Sequence, residues 1–199
     1  MTSTAKFITL RDLATTSAGH PIRGSVEDLA TGSVALIQMR DITNEPTISW
    51  DSAIGIEVPG KRNPDYLRVR DIVFTSRGSK NLAVVIGLVP RQAICAPNLF
   101  VIRVRNVENC MPEYLAWFMN QRPAQSYFQR AATGTNILNI RREVVDQLVV
   151  PLPSISQQSA IVALDAAVRR EREMLRELIT NREQQMEALA LGLAGCMEA

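Results

Sequence analysis

The sequence predicts an α+β protein: a sheet-based globular domain followed by one long α-helix that pairs as an antiparallel coiled coil. Three observations predict this. Short β-branched runs bounded by Gly, Pro or Asn recur between residues 33 and 104. Two proline-started segments with aromatic residues at helical spacing follow at Pro112 and Pro123. From Ser156 to about Leu193 there is no proline, and the only glycines from there on are Gly192 and Gly195.

In chain order, Thr9 stands as N-cap of a short helix with Leu10 and Leu13 facing inward, which ends in the breaker cluster Ser17-Ala18-Gly19-His20-Pro21. The run from Ser33 to Met39 reads as a buried strand. Residues 40–47 read as turn, and residues 48–58 as one or two short strands before the loop Pro59 to Pro64. The runs Asp71–Ser76, Leu82–Val89 and Asn98–Val104 are β-branched and read as the interior of one sheet. Pro112 opens a helix carrying Tyr114, Leu115, Trp117, Phe118 and Met119, and Pro123 opens helix with Tyr127 and Phe128. That aromatic spacing fits a helix packed on a sheet.

The string Leu148-Val-Val-Pro-Leu-Pro153 is stiffened by Pro151 and Pro153 into an extended connector. Ser154 with Gln157 has the capping-box form, so a helix begins there. It runs for roughly 40 residues, about 60 Å at 1.5 Å per residue, too long to fold back inside a small domain. Its apolar positions Ile161, Leu164, Val168, Leu175, Leu178 and Leu189 follow a seven-residue pattern interrupted by Glu171, Arg182 and Gln185. A register shift after Leu175 brings in Ile179, Met186 and Leu193 instead. An exposed seam of this kind asks for a partner helix. The predicted organisation is therefore residues 1–150 as one domain and residues 151–199 as connector and dimerisation helix.

Composition excludes several classes. Of the residues 46% are hydrophobic and 21% charged, which places the chain among globular proteins rather than disordered or fibrous ones. Cys95, Cys110 and Cys196 are scattered and form no cluster with the single histidine, His20, so neither a zinc site nor a disulfide framework is expected. The start of the chain lacks an apolar leader run, and the longest apolar stretch, Leu82–Val89, is far short of a membrane span. A cytoplasmic protein is expected. The net charge of +2 divides unevenly: residues 1–150 hold 17 Lys and Arg against 13 Asp and Glu, and residues 151–199 hold 5 against 7. Nineteen of the 22 basic residues are Arg, whose planar fork suits phosphates and guanine edges. There is no G-x-S-x-G, no P-loop, no dinucleotide fingerprint and no marked carboxylate pair, so no catalytic residue, metal or cofactor is assigned.

Four strings, in this order and spacing, carry a resemblance. They are Ile8-Thr-Leu-Arg-Asp-Leu13 with Gly19-His-Pro21 and Leu36-Ile-Gln-Met-Arg-Asp-Ile42; Arg70-Asp-Ile-Val-Phe-Thr-Ser-Arg-Gly78; Asn98-Leu-Phe-Val-Ile-Arg103 leading to Pro112-Glu-Tyr-Leu115; and Gly134-Thr-Asn-Ile-Leu-Asn-Ile140 with Leu148–Pro153, Gln157-Gln158 and Ile161-Val162. Together they resemble the specificity subunits of type I restriction-modification systems, in a half-length form. The resemblance implies a target-recognition domain that lays loops on double-stranded DNA, then a conserved helix acting as spacer and docking surface. It also implies that adenine methylation and cleavage belong to partner methyltransferase and restriction subunits. Full-length relatives carry two such domains and two helices; this chain has one of each, so two copies are expected to pair and read a bipartite palindromic site.

A DNA reader aims cations at phosphates and fixed donor–acceptor side chains at base edges. Candidates are Ser76, Arg77, Lys80 and Asn81 in the turn between two strands, Lys61 and Arg62 in a second basic loop, and Gln38, Arg40 and Asn44 at a strand end. Thr135 and Asn136 beside Gly134 either contact the DNA backbone or form a turn, and Arg141 and Arg142 either bind phosphate or decorate a helix start. The candidate pairing residues are Ile161, Leu164, Val168, Leu175, Leu178, Ile179, Met186 and Leu189. The competing readings are a non-catalytic regulator or inhibitor of the same architecture that binds protein, and a hydrolase with no recognised motif.

Overall fold

A computed structural model describes residues 6–21, 32–43, 47–57, 64–78, 81–132 and 139–195. In chain order the elements are β1 (Lys6–Thr9), α1 (Leu10–Leu13), β2 (Ala14–Ala18), β3 (Val34–Ile37), a 3-10 turn (Met39–Asp41), β4 (Ile54–Ile56), β5 (Ile72–Thr75), β6 (Ala83–Val85), β7 (Ala93–Cys95), β8 (Leu99–Val104), α2 (Pro112–Met119), α3 (Arg122–Ala131), α4 (Arg142–Asp146), β9 (Val149–Leu152) and α5 (Ile155–Gly195). Chain contacts group into two units, Met1–Ser159 and Ala160–Ala199.

The first unit is built from alternation. In β3, Ala35 and Ile37 point to one side, where they join Val73, Val84, Leu99 and Val101 in a buried cluster. Val34 and Leu36 point to the other, where they meet Ile54, Ile56, Ile94 and Ala96. Thus the three-stranded sheet β4-β3-β7, antiparallel on one side of β3 and parallel on the other, is buried on both faces. The second sheet, ordered β2-β8-β5-β6, is antiparallel throughout, with Phe74 opposite Phe100 and Ile72 opposite Ile102. Phe74 is fully buried and stacks on Phe128 of α3 at 5.0 Å between ring centroids, so the expected aromatic helix faces are core.

Three expectations are corrected here. The first helix does not run into the breaker cluster: it ends at Leu13, and the β-branched pair Thr15-Thr16 continues as β2, paired with β8. Thr9 does occupy the N-cap position, but its hydroxyl bonds to the Asp12 carboxylate rather than capping a backbone N–H. Of the three β-branched runs, β5 and β8 are interior and β6 is an edge. The proline-stiffened segment is extended, as read, and is also paired. Val149–Leu152 lies antiparallel to β1, with Pro151 opposite Phe7 in a two-stranded ribbon where a missing N–H is tolerated.

Two buried carboxylates shape the loops. Asp71, 3% exposed, takes two hydrogen bonds from Arg103, Nε at 2.8 Å and Nη2 at 2.9 Å, and a third from the Arg68 N–H at 2.8 Å. That bidentate clamp sits beside Arg70, whose φ of 72° is left-handed and strained for a side-chain-bearing residue. Asp41, fully buried, takes the Ser52 hydroxyl at 2.9 Å and the Gln38 N–H at 2.8 Å.

At the base of α5 the expected capping box is present: the Gln157 side chain takes the Ser154 N–H at 3.1 Å, and the Ser154 hydroxyl takes the Gln157 N–H at 3.4 Å. Gln158, fully buried, accepts from the Met111 N–H and donates to the Asn109 and Pro153 carbonyls, each at 2.9 Å. In the second unit, Leu164, Leu175, Leu178, Ile179, Met186 and Leu189 are all more than half exposed, while Ile161 and Val168 are intermediate.

Candidate nucleic-acid interface

Strand ends determine which loops meet. β3 and β7 run parallel, so Gln38 and the Ala96–Asn98 turn leave the three-stranded sheet at the same end. The Ser76 hydroxyl and N–H bond to the Asn98 carbonyl at 2.7 and 3.2 Å, which ties the exit of β5 to that end. The Ile140 N–H bonds to the Ser76 carbonyl at 2.7 Å, and Arg77 forms an antiparallel bridge with Asn139. Gly78 has φ of +104°, a conformation that favours glycine, and a Cβ built there would lie 3.4 Å from the Met39 side chain. Three stretches far apart in sequence, around Gln38–Arg40, Ser76–Gly78 and Asn139–Arg141, are therefore neighbours on one end of the domain.

Three arginines on this end face solvent. Arg77 and Arg141 are exposed, and Arg40, 61% exposed in its side chain, lies 3.8 Å from the buried Asp41 carboxylate, too loose and wet a pair to immobilise it. Arg142 is exposed at the start of α4, 3.6 Å from the Asp146 carboxylate.

Several candidates change role. Ser76 and Asn81 are 3% and 5% exposed, and their polar groups are engaged, Ser76 with Asn98 and the Asn81 amide with the Thr75 carbonyl at 2.8 Å. Both side chains are turned inward, where they brace the turn that carries Arg77. Gln38 closes a capping box on the 3-10 turn with its side chain, which competes with the two-point contact a glutamine makes to adenine. Asn44, Lys61, Arg62, Lys80, Thr135 and Asn136 lie outside the described residues. The flank Glu57 of the Lys61-Arg62 loop adjoins Ser33, at the opposite end of β3 from Gln38. Asn139 was not among the candidates; its place at the end of the Gly134–Ile140 string was the only signal for it.

Among the described residues no group of three metal-ligating side chains occurs, and no helix is long and apolar enough to cross a membrane. Burial pushes the Cys110 thiol up to about 11 and the Cys95 thiol higher still, the opposite of an activated nucleophile. His20 is held in its loop by its N–H to the Cys95 carbonyl at 2.7 Å. An open groove of about 910 Å³ between β1 and the base of α5 is lined by Lys6, Phe7, Asp12, Arg105 and Ile155 among others.

Comparison with solved structures gives the architecture a name. A chain from the type I R-M system, solved in a study of its complex assembly and conformational transition, superposes at a TM-score of 0.68 over 95% of this chain, with 16% identity. The S subunit of the type I restriction-modification system from M. genitalium matches at 0.60 over 87% with 16% identity, and the HsdS subunit from Thermoanaerobacter tengcongensis at 0.61 over 86% with 17% identity. The chain has the S-subunit fold. It spans less than half of each of these chains, 44%, 41% and 39% of their lengths. The α+β class with a long C-terminal helix, predicted from patterning, is the architecture of the S-subunit fold. No protein-family model and no curated protein matches the sequence.

Proposed function

We propose that this chain is a sequence-specific DNA-recognition subunit of a type I restriction-modification complex, with residues 1–150 as the reading domain and residues 151–199 as connector and pairing helix. The observation that carries the reading is the convergence, on an S-subunit fold, of Arg77, Arg40, Arg141 and Asn139 at one end of the domain, where a cation-rich surface has both phosphate and base-edge chemistry. Ser76, Asn81 and Asp41 hold that surface in shape from below. Lys61, Arg62, Lys80, Asn44, Thr135 and Asn136 are proposed as further DNA contacts on residue type alone. Two copies pair through the exposed seam of α5 and present two reading surfaces to an inverted bipartite site. Methylation and cleavage are the work of partner subunits, which bring their own cofactors; this chain supplies the address.

The test is selection of bound duplexes from a random library by the full chain together with its methyltransferase partner. Enrichment of an inverted two-part motif with a fixed gap is expected. Retention of duplexes without any shared motif would overturn the reading.

A further inference from the structure

The seam of α5 carries two charges that pairing alone leaves unexplained. Heptad positions run Ile161, Leu164, Val168, Glu171, Leu175, Leu178, Arg182, Gln185 and Leu189, in alternating steps of three and four residues within one unbroken helix. Leu164 and Leu189 are 66% and 63% exposed, Leu175 and Leu178 52% and 51%, and both Glu171 and Arg182 are exposed. Ile179 and Met186, 57% and 65% exposed, flank the same strip and widen it. Arg182 leans on its own helix, donating from Nη1 to the Gln185 Oε1 at 2.9 Å. A charge facing leucine inside a dry seam is desolvated without compensation, so a viable pairing must give both charges a partner.

Few pairings do. In an antiparallel pair of identical helices each a position faces a d position of the other copy, and three registers satisfy this with extensive overlap. One sets Glu171 against Leu175 of the second copy and Arg182 against its Leu164. Another sets Glu171 against Leu189 and Arg182 against Leu178. In the register between them Glu171 faces Arg182, Leu164 faces Leu189, Val168 faces Gln185 and Leu175 faces Leu178, and the twofold axis makes every contact twice. A parallel pair would instead oppose Glu171 to Glu171 and Arg182 to Arg182.

We infer that Glu171 and Arg182 are the orientation and register lock of an antiparallel homodimer of this chain. The inference rests on the reading that two copies pair through α5, and deepens it. The Arg182 guanidinium has donors enough for Gln185 on its own helix and a carboxylate across the seam. The lock has a functional consequence, because it fixes a length. In this register the two Ile155 residues stand about 65 Å apart along the pair, at 1.5 Å rise per residue. A slip of one heptad changes that by about 10 Å, roughly three steps of duplex at 3.4 Å each. Two seam charges thereby determine the gap between the half-sites that the dimer accepts.

Sedimentation of charge variants tests this. The parent chain is expected to dimerise. Glu171→Arg and Arg182→Glu should each weaken the homodimer about tenfold or more, since like charges then face each other twice. The double variant E171R/R182E should regain the parent's affinity, and an equimolar mixture of the two single variants should form a mixed dimer. Orientation is read separately, in a Cys196→Ser background. Leu164→Cys and Leu189→Cys should cross-link when mixed, and neither alone, because identical positions lie far beyond the reach of a disulfide. A monomeric parent overturns pairing altogether. A dimer indifferent to Glu171→Arg, or a Leu164→Cys chain that cross-links to itself, overturns the lock and leaves pairing standing.

Discussion

The Asn120 side chain treats Ala83 as a neighbouring strand would: its Oδ1 accepts the Ala83 N–H at 2.9 Å and its Nδ2 donates to the Ala83 carbonyl at 2.7 Å. β6 is the outer strand of the four-stranded sheet, and Asn120 at the C-terminal end of α2 closes that edge. Gln125 adds a bond from Nε2 to the Asn81 carbonyl at 2.6 Å, so the junction of α2 and α3 also braces the turn that presents Arg77.

The first prediction follows. Asn120→Ala leaves both backbone groups of Ala83 without their protein partner and is expected to cost about 1–3 kcal/mol. Hydrogen exchange at the Ala83 amide should accelerate more than at Val73 in the neighbouring strand, and the bared edge should make the variant more prone to associate at high concentration. Unchanged protection at Ala83 would show that the edge is held by something else.

Gln158 offers a second. It is fully buried with both ends of its carboxamide engaged, accepting from the Met111 N–H and donating to the Asn109 and Pro153 carbonyls. Gln158→Ala removes those three bonds at the root of α5 and should destabilise the chain by about 2–4 kcal/mol. Gln157→Ala, next along the same turn, touches only the exposed cap with Ser154 and should cost about 1 kcal/mol. Urea midpoints of the two variants give the comparison, and equal losses would contradict it.

These two residues also mark what patterning can and cannot read. The core was legible because it is periodic: Phe74, Leu115, Phe128 and the strands β3, β5 and β8 announce themselves by alternation or helical spacing. The cap at Ser154 and Gln157 was legible because it is local. β1, β2 and β7 were not. Each is held by partners far away in sequence, β2 by β8 and β7 by β3, and Lys6–Thr9 or Ala93–Cys95 is too short to show a period. The site was half legible for the same reason. Arg77 and its turn could be named from residue type, but that Ser76 and Asn81 face inward depends on Asn98 and Thr75, and that Asn139 and Arg141 adjoin them depends on the Arg77–Asn139 bridge.

Alkaline pH gives a third prediction. Burial raises the Cys110 thiol from 9.0 to about 11 and the Cys95 thiol further, and raises the Tyr114 hydroxyl from 10.0 to about 12. Each group keeps its proton in the folded chain at a pH where the unfolded chain has released it. Stability from these groups is thus complete below about pH 9, and is lost as pH climbs through about 11 and beyond. The urea midpoint should fall steadily from about pH 9 upward, and Cys110→Ala should flatten the first part of that decline. A midpoint level across the interval would mean the thiols are solvated in the folded state.

The last prediction concerns the reading surface. Arg77 is exposed, while its backbone is anchored by the bridge to Asn139 and by the Ile140 N–H on the Ser76 carbonyl, so an exposed guanidinium stands on a held backbone. If it reads a base, Arg77→Ala should weaken binding to the selected duplex by about 1–3 kcal/mol and relax preference at one position of each half-site. Arg141→Ala, at the N-cap of α4, should weaken all duplexes alike and lower the salt dependence by about one counterion per copy. Ser76→Val is the structural control: losing the bond to the Asn98 carbonyl tilts that backbone, so it should impair both affinity and thermal stability, whereas Arg77→Ala should leave stability within about 0.5 kcal/mol of the parent. Titrations over a range of salt with the selected duplex and a scrambled one separate the three, and an Arg77→Ala chain that binds both as the parent does would remove Arg77 from the interface.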